Sequence, residues 1–422
     1  MSKARRICDG DVRMSHDYVH VDRQGRLVFP AQIAARYGLK PGARLKVDQG
    51  PNSILLLRPT SHLARVYVEP TTHCNLECSA CIRNVWHEPQ GKMSEATFGR
   101  ILEGLRDLHP TPLVFFGGFG EPLTHPDIFS MVREAKKLGA VVELITNGTL
   151  LDKDASQGLL ELELDTLWVS VDGSADCGHA GAGSAAELEG VLDNLRQLQR
   201  RKIELSLKNP EIGLAFVVMA GNAAEFPELL RWALRQRIKK LSVSNLLPHT
   251  PELKGQILYQ RRLDNIDYGA EVELPRLDVD ERTLKLIQAV LREDAVPRFE
   301  ELASQRMRDC CPFAQKGSIS VRWDGVVSPC LALLHAHESY LGDRRRRIEA
   351  YSVGSLDERS LKEIWEDPGY VSLRSRLQEF DFSPCSWCNS CDFPDGNQED
   401  CFGSPAPACG GCLWAQGFIR CP

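Results

Sequence analysis

Between Ala64 and Ser244 short apolar runs alternate with amphipathic stretches, and no other feature restricts the possible folds as much. Residues 65–68, 113–116, 141–145, 167–171, 214–219 and 241–244 read as six strands. Residues 94–108, 126–138, 185–200 and 227–236 carry the helical period between them, with Ser94 placed to cap the first helix. Strands separated by helices pair in parallel through right-handed crossovers. A closed eight-fold barrel needs more repeats, so the expected fold is α/β, a partial (β/α)6 TIM-like barrel of six strands. Parallel folds of this kind bind ligands at the carboxyl ends of their strands, which directs attention to the loops there.

The loop after the first strand holds Cys74, Cys78 and Cys81, spaced so that their sulfurs can turn toward one cuboidal iron–sulfur cluster. Three thiolates leave one iron of a 4Fe–4S cluster without a protein ligand, and an open metal position points to chemistry rather than scaffolding. A zinc knuckle or buried thiols are the alternative. After the second strand comes Gly117-Gly118-Phe119-Gly120-Glu121-Pro122, where glycines let the backbone approach a ligand closely.

The chain holds fifteen cysteines, seven of them after residue 380. Residues 1–17 are charged and lack the apolar segment of a signal peptide, and no run is long and apolar enough to span a membrane. A reducing, cytoplasmic location follows as the expectation, with clustered thiols serving metals rather than disulfides. Residues 1–60 carry eleven Lys/Arg against five Asp/Glu, whereas the remainder carries 40 against 52. A basic front module on an acidic body suggests a recognition domain. The expected division is 1–62, 63–250, a bridge at 251–305 covering the barrel mouth, and a cysteine-rich module at 306–422.

The front module reads as two hairpins around a short helix, residues 30–37, opened by Pro30 and ended by Gly38. The string DRQGRLVFPAQIAARYGLKPGARLKV, Asp22 to Val47, resembles the AbrB/SpoVT swapped-hairpin β domain. That resemblance implies a homodimer and DNA contacts through Arg23, Arg26, Arg36, Lys40 and Arg44. On an enzyme, docking of a partner or substrate ranks above DNA.

The spacing of Cys74, Cys78 and Cys81 resembles the radical S-adenosylmethionine (SAM) superfamily. The resemblance implies a cluster whose open iron chelates the amino and carboxylate groups of SAM, and whose electron releases a 5′-deoxyadenosyl radical. Ala80 stands where the family often carries an aromatic residue. Gly117, Gly118, Gly120 and Glu121 match the motif that holds the SAM amino group. Asn147, Ser170 and Asp172 fall where the family contacts ribose and carboxylate, although Asn or Asp before Gly is also an ordinary turn former. Asn245 and Leu246, in SNLLPHT, fall on the adenine side. Cys177 and His179 read as idle loop positions ahead of a hydrogen-atom or proton role, and no residue is singled out as catalytic.

Toward the carboxyl end, Cys311, the VRWDGVVSPC string ending in Cys330, and the groups Cys385/Cys388/Cys391 and Cys401/Cys409/Cys412 resemble the SPASM extension of radical SAM maturases. The resemblance implies one or two auxiliary 4Fe–4S clusters, although the detailed spacing departs from the family plan and zinc is the alternative. Cys310 and Cys421 flank the module, and the run Arg344 to Arg347 reads as a solvated loop. CNLECSACIRNVW, SNLLPHT and the AbrB-like front end together resemble maturases associated with tungsten-dependent oxidoreductases of the aldehyde:ferredoxin type. That implies a protein or cofactor substrate and an electron donor such as ferredoxin or flavodoxin. Two rivals remain: a peptide maturase forming thioether or carbon–carbon bonds, and a DNA-binding iron–sulfur redox sensor.

Overall fold

The computed structural model describes residues 18–50, 53–172, 185–260, 276–292, 310–386, 388 and 390–421. Cys177 and His179 lie outside them, as does the amino-terminal stretch read for a signal peptide. The chain divides into two compact units, Met1–Pro59 and Thr60–Pro422.

In the first unit, β1 (His20–Val21) pairs antiparallel with β2 (Leu27–Val28). Asp22 fixes the turn by accepting from the Gln24 and Arg26 amides and pairing with the Arg26 guanidinium at 2.7 Å. Helix α1 (Ala31–Arg36) follows Pro30, and β3 (Val47–Gly50) pairs antiparallel with β4 (Ser53–Leu56). The hairpin–helix–hairpin order read from the sequence is therefore present. Val21, Leu27 and Val28 are exposed, as are Arg23, Arg26, Arg36, Lys40 and Arg44.

The second unit is built on β5 (Arg65–Val68), β6 (Leu113–Phe116), β7 (Val142–Thr146), β8 (Thr166–Ser170), β9 (Glu211–Val218) and β10 (Lys240–Asn245). These six pair in parallel in chain order. Helices α2 (Glu95–Arg106), α3 (Ile128–Lys137), α4 (Lys153–Glu161), α5 (Ala185–Glu204) and α6 (Phe226–Arg235) fill the crossovers. Ser94 caps α2 by accepting from the Thr97 amide, and Phe98, Ile101, Leu102 and Leu105 make its buried stripe. The sequence reading passed over α4. Its buried apolar residues are Leu159 and Leu160 alone, too few to show a period, and Asp152 fixes its start by accepting from the Ala155 amide.

Alternation along the strands sorts two faces. Val66, Val68, Val114, Phe116, Val142, Leu144, Leu167 and Val169 join the helices in the main core. Tyr67, Phe115 and Trp168 point the other way and pack with Phe313, Cys330 and the segment Leu331 to Leu334. The carboxyl-terminal module thus contributes side chains to the inner face of the open barrel. It also extends the sheet, because β11 (Ser318–Val321) pairs in parallel with β5 and then carries β12 (Val326–Ser328) antiparallel. Adding β15 (Gly354–Ser355) beyond β12 makes nine strands where six were expected, and the edge of the first strand is covered.

Helix α7 (Glu281–Arg292) packs against α6. Helix α8 (Pro312–Lys316) precedes β11, and β13 (His337–Leu341) and β14 (Arg344–Ile348) form a hairpin. The arginine run is therefore a strand and not a solvated loop. Its period of two puts Arg345 and Arg347 in solvent and Arg346 in the interior. Helices α9 (Leu361–Glu366) and α10 (Pro368–Glu379) follow. Arg374 of α10 is buried with its guanidinium 3.7 Å from the Trp365 ring centroid, donating to the carbonyls of Thr60 and Trp365. Beyond Phe382 the described chain is irregular apart from one short 3-10 turn.

Candidate metal centres at the strand ends

The cysteine loop leaves β5 through Glu69 and Pro70 and is closed by Thr71, which bridges to Lys92. Inside it the Cys81 amide donates to the Cys78 carbonyl, and Ile82–Val85 forms a 3-10 turn. Arg83 folds back across the loop, donating to the carbonyls of Thr72 and Leu76 and, at 3.3 Å, to the Cys81 sulfur. Burial pushes the Cys78 thiol up to about 11, helped by Cys81, Asp172 and Cys74 and opposed by Arg83. The three sulfurs thus share one electrostatic neighbourhood with Asp172. Burial works against charge on Arg83, and the sulfurs of Cys81, Cys74 and Cys78 outweigh it. A thiol raised in this way, as Cys78 is, stays protonated unless a metal takes the proton's place. Every described cysteine is free of disulfide bonding.

The glycine loop lies directly on the cysteine loop. A Cβ at Gly120 would stand 2.2 Å from the Thr71 carbonyl oxygen and 2.6 Å from that of His73, so only glycine fits. Gly118 adopts a φ of 144°, and a Cβ there would meet Glu69. Glu121 is buried, and its carboxylate accepts from the Leu123 amide, the Thr146 hydroxyl and, at 2.7 Å, the Asn147 amide. Burial raises its pKa against these donors. Glu121 is therefore a fastener between the glycine loop and the end of β7, while Gly118, Phe119 and Gly120 stay half-exposed.

Asn147 turns toward the cysteine loop, donating to the Asn75 side chain at 3.0 Å and toward the Cys74 sulfur at 3.8 Å. Ser170 donates to Asp172, whose other oxygen accepts from the Val217 amide. Leu246 packs with Met219 and Leu253, and Ala80 and Val217 rest against them, so an apolar floor adjoins the cysteine loop where an aromatic residue was missing. Asn245 behaves differently. Its amide donates to the carbonyls of Arg276 and Phe418, tying β10 to the carboxyl-terminal module, and its Oδ1 is buried without a partner among the described residues.

A second cluster of cysteines forms in the carboxyl-terminal module. Cys311, Cys330, Cys409 and Cys412 line one cavity together with Arg346 and His337. Burial raises all four thiols, Cys311 to about 12, and each of Cys311, Cys330 and Cys409 is raised further by others of the set. Cys385 feels Cys401 and accepts or donates with Ser383 at 2.9 Å, but it does not line this cavity. Cys388 and Cys391 are half-buried and Cys401 is exposed. The tight triplet that dominates the sequence is thus separate from the four that gather.

His335, Glu69 and Glu88 link the two halves. His335 is 1% exposed and lies between two carboxylates, with Nε2 2.9 Å from Glu69 and Nδ1 2.7 Å from Glu88. Both ring nitrogens face carboxylate oxygens, a setting that favours the protonated ring. Burial opposes that charge, and Glu69 and Glu88 outweigh it. Trp86, five residues past Cys81, stacks on the imidazole at 4.1 Å, and Phe119 of the glycine loop meets its edge. Glu69, a buried carboxyl group following an apolar strand, is the one of the three that a sequence could have flagged.

Residues 68–233 match the radical SAM superfamily, and residues 310–392 match the SPASM iron–sulfur cluster-binding domain. The chain belongs to the radical SAM enzymes that carry a SPASM domain. It is 32% identical over 366 residues to the tungsten-containing aldehyde ferredoxin oxidoreductase cofactor-modifying protein of Pyrococcus furiosus, spanning 85% of this chain and 96% of that one. The PqqA peptide cyclase of Bradyrhizobium diazoefficiens is 25% identical over 76% of this chain and 78% of its own. In fold, the chain is similar to Streptococcus suis SuiB bound to S-adenosylmethionine, with a TM-score of 0.51 and 16% identity over 79% of this chain and 72% of that one. Membership brings a 4Fe–4S cluster, SAM and auxiliary iron–sulfur clusters, which sets the zinc reading aside. Among the described residues no helix is long and apolar enough to cross a membrane.

Proposed function

We propose that this enzyme matures a tungsten-dependent oxidoreductase, acting on that protein or on its cofactor. The likeness to the Pyrococcus furiosus protein over nearly its whole length supports this reading. Cys74, Cys78 and Cys81 would hold the catalytic cluster, and Gly117, Gly118 and Gly120 would present backbone to SAM. Asn147, Ser170, Asp172 and Leu246 line the remaining strand ends. Bound there, the cluster supplies the electron for reductive cleavage of SAM. Everything else falls to the chain: Glu121 holds the glycine loop on β7, Arg83 balances thiolate charge, and the Leu246–Ala80 floor excludes water. Asn245 supports β10 from behind.

Cys311, Cys330, Cys409 and Cys412 would hold one auxiliary cluster, leaving Cys385, Cys388, Cys391 and Cys401 for a second. An electron donor of the ferredoxin or flavodoxin type feeds the centre. The first unit docks the partner through its basic residues, or pairs with a second copy through Val21, Leu27 and Val28.

The single observation carrying the reading is the seat of Gly120 on the cysteine-loop carbonyls, which fuses a three-thiol loop to a backbone cradle. Anaerobic protein reduced with dithionite in the presence of SAM should release 5′-deoxyadenosine, faster when the tungsten oxidoreductase is added. The peptide cyclase relatives favour a second reading, a maturase of a ribosomal precursor peptide. Stimulation by such a peptide and none by the oxidoreductase would select it. Salt-dependent DNA binding without SAM turnover would instead select the redox sensor.

A further inference from the structure

The cavity of the second cysteine cluster contains a cation that its protein surroundings leave unbalanced. Arg346 on β14 is deeply buried, and its guanidinium donates to the carbonyls of Pro394, Gly411 and Gly396. All three acceptors are neutral, and Arg346 forms no ion pair with a described carboxylate. Asp395, whose field reaches it, is already paired with Arg344 at 2.8 Å. Burial works against the Arg346 charge, and the sulfurs of Cys412 and Cys385 act ahead of Asp395 to restore it. A buried cation is costly unless an anion answers it.

The local sequence is shaped around this guanidinium. A Cβ at Gly411 would stand 2.7 Å from an Arg346 nitrogen, and one at Gly410 would stand 1.8 Å from the Ser383 carbonyl oxygen. The two glycines between Cys409 and Cys412 therefore let those thiols close over the arginine. Its neighbours on the run, Arg345 and Arg347, face solvent, so the interior position is set by strand register.

We propose that Arg346 is the internal counter-cation of an auxiliary cluster held by Cys311, Cys330, Cys409 and Cys412, and that it positions the reduction potential of that cluster. The proposal rests on the four-thiolate assignment made above. Four thiolates on an iron–sulfide core of charge 2+ give a dianion, and uptake of one electron from an external donor gives a trianion. A fixed positive charge beside the ligands stabilises the trianion more, so it raises the potential; net charge and hydrogen bonding are the protein's levers here.

The test is a dithionite-mediated redox titration followed by electron paramagnetic resonance, with iron counting, on the full chain carrying Cys74→Ala/Cys78→Ala/Cys81→Ala. Arg346→Gln, which keeps donors but removes the charge, should move the midpoint of one auxiliary signal to more negative potential. Arg346→Lys should stay near the parent. If Arg346→Gln fails to load iron, loading by Arg346→Lys alone also supports the counter-cation. Equal behaviour of the two variants, or a parent-like midpoint in Arg346→Gln, overturns it. The underlying assignment fails separately, if Cys311→Ser/Cys412→Ser retains the parent's full auxiliary iron.

Discussion

At the scale of single residues the centre depends on contacts too close for any substitution. Gly120→Ala places a methyl group 2.2 Å from the Thr71 carbonyl oxygen, against backbone that cannot swing aside. The cysteine loop must then shift by a fraction of an ångström to an ångström. A displacement of that order costs roughly 10²-fold in rate, so SAM cleavage by Gly120→Ala should fall by about that factor with iron content retained. Quantifying 5′-deoxyadenosine per cluster checks it. The combined variant Cys74→Ala/Cys78→Ala/Cys81→Ala should lose about four irons per chain and all cleavage, while the auxiliary absorption persists. That the cysteine loop and the glycine loop sit at neighbouring strand ends was legible, because both motifs follow strands with a clear local pattern. Glu121 was legible as a motif position but not as a fastener, since its partners Thr146 and Asn147 arrive from the next strand. His335 and Arg346 were not legible at all. Both acquire their surroundings through pairings across the fold, with Glu69 266 residues away in one case.

At the scale of elements, the alternation of strands and helices exposed the barrel because each parallel strand is buried on both faces and reads as an apolar run. The extension through β11 and β12 was hidden, because short strands that finish a sheet carry no period of their own. The joint between barrel and carboxyl-terminal module is testable through buried His335. His335→Gln leaves Glu69 and Glu88 facing an amide and should cost about 3 kcal/mol near pH 6. Because Glu69 and Glu88 raise the His335 pKa against burial, its contribution is full below the unfolded value of about 6.5 and is lost as pH rises through the higher folded value. Arg322, paired with Glu88 at 3.2 Å, and neighbouring His337 share this field and are retained in the variant. The stability gap between wild type and His335→Gln, read from urea titrations at several pH values, should therefore narrow above about pH 6.5. A constant gap would show that hydrogen bonding and packing, not charge, account for the contribution.

At the scale of the whole molecule, two kinds of order coexist in the second unit. The barrel has a continuous apolar core, whereas the described chain after Phe382 is almost without regular structure and is held by turns and mostly half-buried cysteines. Segments of that kind derive folding energy from bound metal. Chelation of iron under anaerobic conditions should make residues 383–421 the first region cut by a nonspecific protease, with the barrel persisting; mass spectrometry of the fragments checks this. The proposed SAM cleavage depends on one iron atom that no side chain ligates. Electron–nuclear double resonance on the reduced protein with SAM carrying a labelled amino nitrogen and carboxylate oxygen addresses it directly. Hyperfine coupling of both labels to the Cys74/Cys78/Cys81 cluster is the expected result. A cluster signal with neither coupling, at SAM concentrations that saturate the protein, would contradict it.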